Sequence, residues 1–228
     1  MDLITLLLAP TIALLILLAP GLAAAGEAVR DELALLIHIG FDGGPDADGA
    51  PGTLAAAEAT DIKFAEGKVG QAADFREGGC VEYMDLPALN MESGTLELWV
   101  NPAHDAKEME DHTYLQFLKE DESGGIQLKF YHMEMAAQVR MWSGDRVHRR
   151  YGGGHDQDQW SHIVVTWESA DSDEAGLRIY RDGKEGGYPA SYEPVDAPGF
   201  LRVGCASPEE GESAKALVDE ICVYNRCL

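Results

Sequence analysis

A chain of 228 residues with 17 Lys and Arg against 40 Asp and Glu has a formal net charge of −23. Such a surface repels nucleic acid phosphates and anionic lipid headgroups and argues against both as partners. Its 46% hydrophobic and 25% charged residues rule out wholesale disorder, and the length suits one all-β domain that buries roughly 70% of its unfolded surface, enough for a core without metals or disulfides.

Residues 3–19, LITLLLAPTIALLILLA, contain no charge and run into Pro20-Gly21 and Ala23-Ala24-Ala25. An apolar stretch that ends in small residues has the form of a secretory signal peptide cleaved near Ala25. Its length also suits an uncleaved membrane anchor, and Asp2 stands where a basic residue is usual. Residues 1–25 are assigned to this leader or anchor and 26–228 to a single domain. The domain is expected outside the cytosol: secreted, periplasmic or on the cell surface, touching a membrane only through the N-terminal segment. Export permits disulfides among Cys80, Cys205, Cys222 and Cys227. Four cysteines allow three full pairings, and sequence does not choose among them.

Residues 33–41 (LALLIHIGF) read as the first strand, followed by the Gly/Pro/Asp-rich loop 42–52. Short runs then alternate with turn signals at Ala72–Phe75, Cys80–Met84, Gly94–Pro102, Thr113–Leu118, Gly125–His132, Gln138–Trp142, Trp160–Trp167, Leu177–Tyr180, Phe200–Val203 and Ala216–Tyr224. Several have period two. Leu96, Leu98 and Val100 lie on one face of their strand, Ile163, Val165 and Trp167 on one face of theirs, and Leu177 and Ile179 point inward ahead of an Arg-Asp-Gly-Lys turn. No stretch after residue 30 sustains a helical period beyond about two turns, so many short strands argue an all-β sandwich.

The order of segments carries more information than any one of them. Phe41-Asp42, GKVGQAADF (67–75), CVEYMDLP (80–87), GTLELWVNP (94–102), QWSHIVVTWE (159–168), LRIYRDGKE (177–185), FLRVGC (200–205) and LVDEICVYNRCL (217–228) follow one another. This order resembles the laminin G-like jelly roll of the concanavalin A-like lectin/glucanase superfamily, over about residues 33–228. The resemblance implies a two-sheet antiparallel jelly-roll sandwich whose first and last strands run close together. It also implies a structural Ca²⁺ held by Asp42 and Asp219, which match family positions. Calcium takes six to eight hard oxygens. Asp46 and Asp48 offer further carboxylates, at a spacing that departs from the family pattern.

The superfamily includes enzymes as well as binding modules. Its retaining glucanases need two carboxylates ~5–5.5 Å apart on one strand face, and no strand here carries the alternating acids. Glu97 stands alone, while Glu108, Glu110 and Asp111, like Glu120, Asp121 and Glu122, read as solvated turn residues. No His-Glu-x-x-His or Gly-x-Ser-x-Gly pattern occurs. His38 and His162 read as structural histidines in strands, and His104, His112 and His155 as exposed loop residues.

The expected function is therefore a binding module without catalysis, with a glycan or an extracellular or cell-surface protein as partner. The alternative is a divergent polysaccharide hydrolase or lyase whose acids are assembled by the fold. Aromatic rings on an exposed sheet face stack on sugars, which marks Trp142, Tyr131, Tyr151 and Trp99. The run RVHRRY (146–151), with Arg146 and Arg149, is the cationic cluster of an acidic chain. It suits an acidic polysaccharide or a partner's carboxylates, or else forms a strand whose charges neighbouring acids balance.

Overall fold

The computed structural model describes residues 35–46, 54–169, 175–187, 190–207 and 212–228; the expected leader and Asp48 lie outside them. Two antiparallel sheets face each other as a jelly-roll sandwich, with no helix among the described residues.

The first sheet has the order β13 (Lys184–Glu185), β12 (Gly176–Arg181), β11 (Ser161–Glu168), β6 (Ser93–Pro102), β15 (Ala216–Tyr224), β4 (Gln71–Asp74), β3 (Lys63–Glu66), with β1 (Leu35–Ile39) also paired to β15. The second runs β10 (Arg146–Tyr151), β9 (Ala136–Ser143), β8 (Gly124–Tyr131), β7 (His112–Leu118), β14 (Phe200–Val203), β5 (Cys80–Tyr83), β2 (Glu58–Thr60).

Alternation along the strands builds the core. Leu96, Leu98 and Val100 from β6 are fully buried, as are Val165 and Ile179 from β11 and β12, with Ile163 and Trp167 all but buried beside them. Ile126, Leu128 and Phe130 of β8 and Val139 and Met141 of β9 meet them from the other sheet. Each such side chain contributes ~1.5–3 kcal/mol by leaving water. The Arg-Asp-Gly-Lys turn joins β12 to β13 with Asp182 and Gly183 at φ 50° and 74°, the left-handed pair that a two-residue hairpin requires. A disulfide between Cys80 and Cys205 ties β5 to the end of β14.

Two short edge strands, β2 and β3, lie where no strand is predicted. Their residues are exposed or half-exposed and lack an apolar face, so the period-two signal is missing. RVHRRY is itself a strand, β10, paired along its length to β9.

The central strand β15 changes partner partway along. Leu217 and Val218 pair with β4, whereas Ile221 to Tyr224 pair with β1 on the same side. Between them the pairing with β6 shifts register, and Glu220 takes φ 49°. Asp219 sits in this break, fully buried. Its Oδ2 accepts the amides of Lys68 (2.8 Å) and Val69 (3.0 Å), and its Oδ1 that of Glu220 (2.8 Å). Asp42, just past β1, reaches the same β3–β4 turn and accepts the Gln71 amide at 2.7 Å. At Gly70, φ is +52° and a Cβ would fall 1.8 Å from Asp42 Oδ1, so no side chain fits there.

Burial pushes the Asp219 carboxyl up to about 6, against the pull of the Val69 amide. An unfolded aspartate titrates near ~3.9, so the folded state holds this proton more tightly. The stability it contributes is complete below pH ~4 and is lost as pH rises through about 6. At ~1.4 kcal/mol per unit this amounts to about 3 kcal/mol, or several degrees of melting temperature. Melting followed across this range should show the wild-type advantage over Asp219→Asn shrinking by several degrees between pH 4 and 7. A widening gap would mean that the amides, not burial, dominate this carboxyl.

Candidate functional site

Outward-facing residues of the second sheet form a continuous polar row. Successive cross-strand partners are Arg149, Arg140, Gln127, Gln116, Arg202, Glu82 and Glu58, one from each strand. At the Arg202 end the charges are matched: its guanidinium bonds Glu82 at 2.7 Å and Glu122 at 3.3 Å. At the other end Arg140 and Arg149 lie directly opposite each other, and neither has an acidic partner within 4.0 Å among the described residues. Burial, with Arg149 beside it, lowers the pKa of Arg140.

The neighbouring row is Tyr151, Gln138, Lys129 and Thr113. Together these two rows line a groove of about 330 Å³ formed by Gln127, Lys129, Tyr131, Gln138, Arg140, Arg149 and Tyr151. The rings of Tyr131 and Tyr151 stand 6.1 Å apart. Lys129 lies 5.4 Å from the Tyr131 ring, and the Arg140 guanidinium 4.6 Å from that of Trp142. The groove offers guanidinium donors, amides and two phenol rings, and no carboxylate is among its lining residues. Gln116 Oε1 and Arg140 Nε are buried without a hydrogen-bond partner among the described residues, so the row has unspent polar capacity.

Of the predicted ligand residues, Tyr131, Tyr151 and Arg149 share this groove, and Trp142 adjoins it through Arg140. Arg146 points elsewhere, bonding the Pro194 carbonyl at 3.1 Å and lying 3.3 Å from Glu193. The balance by neighbouring acids expected for the RVHRRY run thus holds at Arg146 and not at Arg149. Trp99 belongs to the opposite sheet, where it stacks on His162 at 4.8 Å with Lys68 4.1 Å from its ring. Gln127, Gln138 and Arg140 carried no functional reading in sequence; their signal was only that they alternate with the buried residues of β8 and β9.

The residues at Asp42 and Asp219 do not fit a calcium ion as they are placed. Three amide N–H groups already converge on the Asp219 carboxylate, and their positive ends would face the cation. The nearby Asp46 accepts the Ala56 amide at 3.0 Å.

The loop 103–111 departs from its expected solvation. His104 and His112 are 2% and 4% exposed rather than open to solvent, and their rings lie 4.0 Å apart. His155 is half-buried and bonds the His104 carbonyl at 3.0 Å. Burial, with His112 and His155 beside it, pushes His104 down to about 3. Burial likewise lowers His112. Asp111 and Glu108 are not solvated turn acids either. Asp111 pairs with Lys129 and with His132 Nδ1 (2.6 Å), and Glu108 pairs with Lys215. Beside them a wider cleft of about 600 Å³ is lined by Arg76, Glu77, Glu110, Asp111, His112, Glu212, Ser213 and Lys215.

A family model described as the concanavalin A-like lectin/glucanases superfamily matches residues 77–228. Among curated proteins, no sequence matches. Domain 4 of AbnA, a GH43 extracellular arabinanase from Geobacillus stearothermophilus, seen in complex with arabinotriose, superposes with a TM-score of 0.65 at 19% identity, over 85% of this chain and 93% of that one. A botulinum neurotoxin type C structure, from a toxin whose cell entry depends on interaction with two ganglioside molecules, gives 0.68 at 11% identity over 88% and 50%. The binding domain of botulinum neurotoxin DC in complex with SialylT gives 0.66 at 9% identity over 86% and 48%. The chain thus spans about half the length of these toxin structures. At such identities the likeness is one of fold.

The amide-filled carboxylates lead to a direct expectation. Metal-free protein should melt at the same temperature with and without millimolar Ca²⁺ in a calorimetric scan, whereas a rise that Asp219→Asn abolishes would restore calcium to this place.

Proposed function

Because the chain belongs to the concanavalin A-like lectin/glucanases superfamily, we propose that it is a binding module without catalysis that takes an acidic glycan across the groove of β8, β9 and β10. One observation carries this reading: Arg140 and Arg149 face each other without an acidic partner among the described residues, in a chain with 40 acidic residues. Like charges directly opposite each other on neighbouring strands cost stability. A ligand carboxylate or sulfate set between the two guanidiniums offsets that cost with charge-assisted, bidentate hydrogen bonds.

The remaining lining suits the rest of a sugar. The Tyr131 and Tyr151 rings offer faces for C–H stacking, and Gln127 and Gln138, largely buried, present to hydroxyls what remains of their amides beyond the Gln127–Thr113 bond. Hydrolysis of a glycosidic bond needs two carboxyl groups beside it, and the groove lining contains none. The structural neighbours seen with arabinotriose and SialylT support a glycan as the class of ligand. The apolar residues 3–19 and the Cys80–Cys205 disulfide support a place outside the cytosol, where such a ligand is met. Calcium is not needed for this reading.

The test is titration calorimetry on uronic acid-containing, sialylated and neutral oligosaccharides. Acidic glycans should bind, and affinity should fall as salt is raised. Arg140→Gln and Arg149→Gln should each weaken binding about 10–100-fold, as expected for a lost charged hydrogen bond of ~1.5–3 kcal/mol. Tyr151→Ala should weaken it by a smaller factor, and Arg146→Gln should leave it unchanged. Binding of neutral sugars by wild type as tightly as acidic ones, or an acidic-glycan affinity unchanged in Arg149→Gln, would remove the acidic specificity. Release of shortened oligosaccharides would replace the binding reading with an enzymatic one.

A further inference from the structure

We propose that His104, Glu108 and His112 form a binding site for a divalent transition-metal ion of the zinc class, separate from the glycan groove. The three are spaced four residues apart, and the fold closes that spacing with a turn. Glu108 N bonds Asp105 O at 2.9 Å and Lys107 N bonds the Asp105 carboxylate at 2.8 Å, folding the loop back toward His112, the first residue of β7. One ligand atom from each of the three residues lies within 4.8 Å of the others. In a tetrahedral zinc site with bonds of ~2.0–2.1 Å, ligand atoms stand ~3.4 Å apart, so the group closes with side-chain shifts of about 1 Å.

The hydrogen bonds select the tautomers. His112 Nδ1 lies 3.3 Å from the Ser213 carbonyl and His104 Nδ1 lies 3.4 Å from that of Asp105. A carbonyl only accepts, so both Nδ1 atoms carry the proton and both Nε2 atoms present a lone pair. Those two Nε2 atoms are buried and without a hydrogen-bond partner among the described residues. Two unsatisfied buried acceptors side by side cost stability in the apo protein, and one cation satisfies both at once. Holding a ligating histidine by its other nitrogen is the usual outer-shell arrangement of such sites.

Glu108 completes the set. Its Oε2 stands 3.6 Å from His112 Nε2, while Lys215 holds its Oε1 and so orients the carboxylate to give a single oxygen. The Glu108 side chain is 28% exposed, and its partners His112 and Lys215 line the adjoining acid-bearing cleft, which leaves room for a water as fourth ligand. Two imidazole nitrogens and one carboxylate oxygen suit Zn²⁺ or Co²⁺; Ca²⁺ and Mg²⁺ demand shells built of oxygen.

The experiment uses untagged, metal-stripped full chain. Titration with Zn²⁺ should show one site per chain and raise the melting temperature by several degrees, while Mg²⁺ and Ca²⁺ at the same concentration should not. Co²⁺ should give visible absorption bands of the intensity typical of four-coordinate sites. Glu108→Gln keeps the volume of a partly exposed side chain and should fold with a metal-free melting temperature lowered only by the lost Lys215 ion pair, within a few degrees of wild type, while binding Zn²⁺ at least tenfold more weakly. His112→Gln, checked for folding by circular dichroism, should lose the cobalt bands. Zinc binding with undiminished affinity in Glu108→Gln, or cobalt bands that persist in folded His112→Gln, would overturn the proposal, as would the absence of stoichiometric binding in wild type. Glycan affinity of the Arg149→Gln protein is read separately, so failure of either site leaves the other standing.

Discussion

The whole sandwich turns on one buried carboxylate. Asp219 lies where the central strand β15 leaves β4 and takes up β1, and at that junction the ladder must break. A break in the middle of a sheet strands amide groups that are expensive to bury unpaired. Asp219 takes the Glu220 amide beside the break and two more, of Lys68 and Val69, from the β3–β4 turn, while Asp42 takes that of Gln71 at the start of β4. The carboxylate is thus part of the backbone hydrogen-bond accounting. Around it are gathered the first described strand, the last strand and the β3–β4 hairpin, which chain connectivity alone would leave far apart.

With that frame fixed, the outer face of the second sheet is free to carry polar chemistry. The inward side chains Ile126, Leu128 and Phe130 of β8 and Ala137, Val139 and Met141 of β9 are apolar, and their outward neighbours run as Gln127, Lys129, Gln138 and Arg140. Position along the polar row sets the character of each end. Arg202 is neutralised by Glu82 and Glu122, which makes that end structural. The Arg140–Arg149 end has no such neutralisation, and the two tyrosines border it. A sheet twists and is rigid, so groups mounted on it hold their spacing better than groups on loops.

The core strands were readable because their chemistry repeats every second residue: Leu96-Leu98-Val100 and Ile163-Val165-Trp167 announce both strand and orientation. The meeting of Asp42 and Asp219 was legible only through resemblance, and their use as amide acceptors was not, because an acid looks the same in sequence whether it faces a cation or an N–H group. Tyr131, Tyr151 and Arg149 were found from residue type. Arg140 and the glutamines were missed because their meaning lies in cross-strand register, which no single strand contains. His104 and His112 were misread for a related reason: the loop between them is polar, and nothing local shows that Phe130 and Ser213 close over their rings.

The short strands at the sheet margins share a trait with consequences beyond one molecule. β2, β3 and β13 each lie at a sheet margin, are two to four residues long, and bear Glu58, Lys63, Glu66, Lys184 and Glu185. β10 forms the other margin of the second sheet and bears Arg146, His148, Arg149 and Arg150. An open strand margin is a template on which another copy can lay its own backbone, and short charged margins refuse that template. Copies brought to high local density are therefore refused strand-to-strand addition at these four margins, and meet there as separate sandwiches, not as the start of a fibre.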